Sequence, residues 1–159
     1  ISQLRRICRD LRPPELDTLG LVPAMHMRAR EVAEAAGLNL AFVVLGEDEP
    51  DLPGDVATCL FRVFQEALQN TERHGQADHV QIQLHTSAKD VRLLIADDGV
   101  GFEVPPRLQG LVTQGHFGLV GMSERLALVQ GKLTVRSNPQ GGTQIEALVP
   151  LHPSKGEQS

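Results

Sequence analysis

The chain has 159 residues, 41% of them hydrophobic and 22% charged, an ordinary mix for one folded domain that excludes a largely disordered protein. Its net charge of −5 argues against direct binding of nucleic acid, which favours a basic face. No stretch approaches the ~20 apolar residues that span a bilayer, and no charged-then-apolar leader opens the chain. Cys8 and Cys59 match no metal or redox spacing and read as free thiols of a cytoplasmic domain. A chain that begins at Ile1 reads as a piece of something longer.

Leu4, Ile7, Cys8 and Leu11 recur at helical spacing, and Pro13 and Pro14 are expected to stop that helix. A second helix is expected from about Pro23 to Ala36, with Gly37 at its end, followed by a strand over Asn39–Leu45. After an acidic loop, Gly46–Gly54, the longest helix should run from Asp55 to His74. In the strand Val80–Leu84, the residues Val80, Ile82 and Leu84 point one way, and His79, Gln81, Gln83 and His85 the other. A further strand covers Val91–Asp97, and a long Gly- and Pro-rich loop covers Asp98–His116. A helix over Phe117–Gln130 and a hairpin of Lys132–Ser137 with Thr143–Leu148 complete the chain, leaving a polar tail. This order suggests an α+β fold: two layers, with helices on one face of a mostly antiparallel sheet.

Three features carry chemistry. On the long helix, Val56, Leu60, Val63, Phe64, Ala67 and Leu68 share an arc that should face the sheet, while Thr58, Arg62, Gln65, Gln69 and Glu72 should be solvated. Glu66, Asn70 and Arg73 stand at the border, with His74 beside them. A carboxylate, a carboxamide and a guanidinium so aligned can take a proton, hold Mg²⁺ and meet phosphate. The same stripe also suits an ordinary amphipathic helix. Next, Asp97-Asp98-Gly99-Val100-Gly101-Phe102 ends a strand. Its glycines let backbone approach a flat ligand and Asp97 can accept a bond from an exocyclic amine, although a lone Asp-Gly is commonly a tight turn. Finally, Gly115-His116-Phe117-Gly118-Leu119-Val120-Gly121-Met122 opens a helix, where amides and the dipole suit phosphate. It carries neither a Walker loop nor a Rossmann fingerprint, and it also fits a flexible loop entering a core helix.

Together with Gly141-Gly142-Thr143, these motifs resemble the ATP-binding domain of bacterial two-component sensor histidine kinases. The segment Asp10–Leu16 (DLRPPEL) with Leu19-Gly20-Leu21 resembles the end of the dimerisation domain in the nitrate-sensor-like subfamily. The resemblance implies a Bergerat-type (GHKL) sandwich, with residues 1–20 the end of the dimerisation helix and its linker, 21–151 the kinase domain and 152–159 a disordered tail. It implies ATP and Mg²⁺ as ligands, with Asn70 on the metal, Glu66 activating the attacking group, and Arg73 and His74 near phosphate or sugar. It further implies Asp97, Gly99 and Gly101 around adenine, Gly115, Gly118, Leu119, Gly121 and Met122 in the second glycine box, and Thr143 near adenine. Glu103–Gln114 would be a lid, and Thr71, Glu72 and Gly75 depart mildly from the pattern.

In the family the phosphoacceptor histidine is followed by an acidic residue, and none of the six histidines here is. The resemblance therefore implies a histidine supplied by the chain's own dimerisation domain within a homodimer, then relay to a response regulator, with any membrane anchor elsewhere in the parent protein. One alternative is a non-catalytic ATP-binding module. Another is a different enzyme on the same fold, an anti-sigma-factor-type serine kinase or an ATPase of the chaperone and topoisomerase kind; the LRPPEL segment and the short lid speak against both of these enzymes.

Overall fold

The structure is a computed structural model that describes residues 12–46, 51–73, 76–107, 109–114 and 116–151. The first expected helix, apart from Arg12, and the tail, His74 and Gly115 lie outside the described residues. Along the chain stand α1 (Pro14–Leu19), α2 (Leu21–Ala36), β1 (Asn39–Gly46), α3 (Gly54–Arg73), β2 (His79–Thr86) and β3 (Asp90–Asp97). Then come α4 (Gly110–Thr113), α5 (Phe117–Ala127), β4 (Lys132–Ser137) and β5 (Thr143–Pro150). Among the described residues no helix is long and apolar enough to cross a membrane.

The five strands form one sheet in the order β1-β2-β3-β5-β4. Among the described residues only the β1–β2 pair is parallel, because α3 carries the chain back between them; the other pairs are antiparallel. Alternation in β2 puts Val80, Ile82 and Leu84 under the helices and leaves His79, Gln81 and His85 exposed, as expected. Val91, Leu93 and Ile95 of β3 and Ile145, Ala147 and Val149 of β5 join the same face. Against it lie Leu60, Val63, Phe64, Ala67 and Leu68 of α3, all buried. Each of the larger side chains among these contributes roughly 1.5–3 kcal/mol of transfer free energy. The architecture is the α+β sandwich anticipated above, with helices on one face of a mixed, mostly antiparallel sheet.

Five local expectations need correction. The two prolines do not leave a bare connection, because Pro14 starts the short helix α1 from a first-turn position where no N–H is needed. Leu16 of that helix is buried in the main core. Helix α2 starts at Leu21 rather than Pro23, since a proline is tolerated in the first turn. The long loop contains α4, anchored by the fully buried Leu111. Helix α5 stops at Ala127, where the Gly131 N–H returns to Leu126 O at 2.7 Å. On α3, moreover, Thr58, Arg62 and Gln65 are half-buried rather than solvated. Burial lowers the Arg62 pKa, and the nearby positive charge of Arg125 on α5 lowers it further.

Candidate functional site

A cleft of about 640 Å³, counting its open mouth, lies between the inner edge of α3, the loop after β3, the start of α5 and the near end of β5. Ala67, Asn70 and Thr71 of α3 form one wall, and Ile95 and Asp97 of β3 form the floor with Thr143 and Ile145 of β5. Val100, Gly101, Phe102, His116 and Leu119 close the remaining side. The mixture is mostly apolar with a few convergent polar groups, as in sites for small organic ligands.

Asp97 is held at both oxygens. Oδ1 accepts the Gly99 N–H at 2.9 Å, and Oδ2 accepts from the Thr71 hydroxyl at 3.2 Å. The same hydroxyl stands 3.3 Å from Ala67 O, so its single proton has two acceptors, of which the carboxylate forms the stronger bond. Sequence reasoning missed Thr71, although it stands four residues after Ala67 and seven after Phe64, squarely on the buried arc.

The next residue pins the loop from behind. Asp98 Oδ1 accepts the N–H groups of Asp78 and His79, both at 2.8 Å, while Oδ2 pairs with His79 Nδ1 at 2.8 Å. These contacts, led by the His79 backbone N–H, hold the exposed Asp98 carboxyl down at about 2. On the other side, the turn between β4 and β5 presses in. Gly101 has φ +63°, and a Cβ there would stand 2.1 Å from Asn138 O. Gly142 has φ +78°, and its Cβ would stand 2.1 Å from Asp97 O. Only glycine fits either position.

The other expected site residues divide by location. Gly99 is buried beside Asp97, and Leu119 is buried on the cleft wall. Glu66 is half-buried and lies against the first turn of α5, where a Cβ on Gly118 would come within 2.2 Å of Glu66 Oε1. Met122 belongs to the core. Gly121 is exposed with open space around it, and Arg73 is exposed at the end of α3; neither lines the cleft. His74 and Gly115 lie outside the described residues. Phe102 and His116 stack with ring centroids 4.2 Å apart at 26°, joining the two glycine-rich segments. Both rings belong to quoted motifs, but only tertiary structure sets them face to face.

The sequence pattern of the family described as histidine kinase-, DNA gyrase B-, and HSP90-like ATPase matches residues 55–153. The chain belongs to this family. Among curated relatives of this ATPase domain, the signal transduction histidine-protein kinase/phosphatase DegS of Brevibacillus brevis is 36% identical over 95% of the chain and 38% of the relative. The sensor histidine kinase MctS of Rhizobium johnstonii is 33% identical over 94% of the chain and 32% of the relative. The chain thus spans roughly a third of the length of these curated relatives. Among solved structures, the Acinetobacter baumannii histidine kinase AdeS superposes with a TM-score of 0.63 at 12% identity, over 84% of this chain and 64% of that one. The Erythrobacter litoralis EL346 blue-light activated histidine kinase gives 0.62 at 20% identity, over 82% and 45%. These likenesses bear on the fold. Homology and fold together make the chain a GHKL-type ATP-binding domain of the histidine-kinase kind.

Proposed function

We propose that this chain is the catalytic domain of a sensor histidine kinase, nitrate-sensor-like in its DLRPPEL segment, which moves the γ-phosphoryl group of ATP to a histidine for relay to a response regulator. The observation that carries the reading is Asp97: a carboxylate with both oxygens held in place, on the floor of a largely apolar cleft whose wall also carries Asn70. An acceptor-only group there favours adenine's amine and repels the oxo group that guanine carries at the same place. Apolar Ala67, Ile95, Leu119 and Ile145 supply surface for the ring.

Asn70 offers a carboxamide oxygen on the cleft wall, a hard donor suited to Mg²⁺, which commonly takes one or two protein oxygens and completes its shell with phosphate and water. Bound there, the ion neutralises phosphate charge; Asn70 is the residue that would hold it. The amides of the first turn of α5 offset charge that remains, and Glu66 beside that turn orients or deprotonates the incoming histidine. Such transfer depends mainly on positioning and charge neutralisation. In this reading residues 1–20 are the end of the dimerisation helix and its linker, the acceptor histidine comes from the dimerisation domain in a homodimer, and any membrane anchor lies in the parent protein.

The test is calorimetric titration of the chain with ATP, with and without Mg²⁺. Metal-dependent binding of ATP in preference to GTP is expected, with the metal dependence lost in Asn70→Ala. No heat with millimolar ATP would refute the reading. Transfer of labelled phosphate to a supplied dimerisation domain separates the kinase from a non-catalytic module or a serine kinase of the anti-sigma-factor type.

A further inference from the structure

We infer that Ser137, outside the cleft at the end of β4, sets the direction of the Thr143 hydroxyl and thereby makes the cleft floor selective for a ring edge bearing an amine. The inference rests on the nucleotide reading above and identifies a positioning residue for it.

A serine hydroxyl has one proton to give and two lone pairs. Ser137 Oγ has three partners, each at 2.9 Å: the Phe102 N–H, Gly142 O and Thr143 Oγ1. The backbone N–H of Phe102 can only donate, so it takes one lone pair. The carbonyl of Gly142, in a buried residue, can only accept, so it takes the proton. Leaving a buried carbonyl unpaired is costly, which fixes that choice. The Thr143 hydroxyl must then donate to the remaining lone pair of Ser137, and it turns only lone pairs toward the cleft.

The strand register makes this consequential. Ser137 pairs with Thr143 across β4 and β5, and Thr143 pairs with Asp97 across β5 and β3. The three residues form one row across the sheet. Thr143 and Asp97 line the cleft and Ser137 does not. With the Thr143 proton committed to Ser137, both floor groups are acceptors. Such a pair suits the amine of adenine and is mismatched to the oxo group of hypoxanthine. Removing the Ser137 hydroxyl frees the Thr143 proton to rotate inward and donate to that oxo group.

The experiment compares Mg-ATP with Mg-ITP by calorimetry on the chain. Ser137→Ala is expected to weaken ATP binding about tenfold and to narrow the ATP-to-ITP preference about fivefold or more. Ser137→Thr and Ser137→Val have the same shape and differ in the hydroxyl, so they carry the test if alanine impairs folding. The threonine variant should keep the preference and the valine variant should lose it. In a Thr143→Val background, Ser137→Ala should no longer change the preference, because the hydroxyl through which it acts is gone. A general loss of packing would lower both affinities alike and leave their ratio intact. The inference is overturned if wild-type chain prefers ATP while Ser137→Ala keeps that preference within twofold, or if the change persists without the Thr143 hydroxyl. Failure of the wild-type chain to bind ATP at all would instead strike the nucleotide reading beneath it.

Discussion

Asp98 shows how one side chain can hold a binding loop without entering the cleft. It takes N–H bonds from Asp78 and His79 and pairs with the His79 ring, tying the start of β2 to the segment that carries Asp97. Its pKa is depressed from 3.8 to about 2, so the folded state favours the ionised form. The stabilisation is therefore complete above pH about 4 and is lost as pH falls toward about 2. Melting temperature measured against pH should fall across that window, and Asp98→Asn should flatten the fall. An unchanged profile in the variant would mean that other carboxylates set the acid limit. Thr71 acts on the neighbouring aspartate from the opposite side, through the 3.2 Å bond to Asp97 Oδ2. Thr71→Val keeps the shape and removes the proton. Nucleotide affinity should drop by about tenfold or more, since a hydrogen bond to a charged group is worth about 1.5–3 kcal/mol. Equal affinity in the two proteins would show that Asp97 needs no such support.

At the level of elements, two glycines make opposite demands on their neighbours. Gly118 opens α5 against Glu66, and an added Cβ would meet the flexible tip of that side chain. Because the tip can swing away and alanine favours a helix by about 1 kcal/mol over glycine, Gly118→Ala should leave stability equal or slightly raised. Phosphotransfer to a supplied dimerisation domain should nevertheless fall, since the displaced carboxylate is the proposed base. Gly142 sits in the turn that joins β4 to β5, at positive φ, and an added Cβ would strike the backbone oxygen of Asp97. Neither partner can move cheaply, so Gly142→Ala should cost at least about 1–3 kcal/mol in a urea melt and weaken nucleotide binding as well. The pair separates a glycine kept for a neighbour's side chain from one kept for the backbone. If both variants lost the same stability, that distinction would fail.

Across the whole molecule, the legible part of the fold was the part written in short-range periodicity. Alternation marked Val80, Ile82 and Leu84, and the heptad-like arc of α3 marked Leu60, Phe64 and Ala67; all six are buried. What periodicity could not mark were residues whose environment is made by distant segments. Leu111 is an anchor because α4 folds onto the core, and Arg62 is half-buried because it stands near Arg125 of α5 and Glu15 of α1. Ser137 looked like a plain strand end until the register placed it beside Thr143. The cleft has the same character, since its walls come from α3, β3, the loop after it, α5 and β5. A ligand that touches all of them binds the folded state alone and must stabilise it. At 100 times its dissociation constant, Mg-ATP should add about 2.7 kcal/mol. For a chain of this length each kcal/mol moves the melting temperature by roughly 2–4 °C, so a rise of about 5–11 °C is expected. The chain has no Trp or Tyr, so the transition is best followed by scanning calorimetry. GTP at the same concentration should give a much smaller rise, and Asn70→Ala should erase the difference between ATP with and without Mg²⁺. An equal rise with both nucleotides would show that Asp97 does not read the base, whatever else the cleft binds.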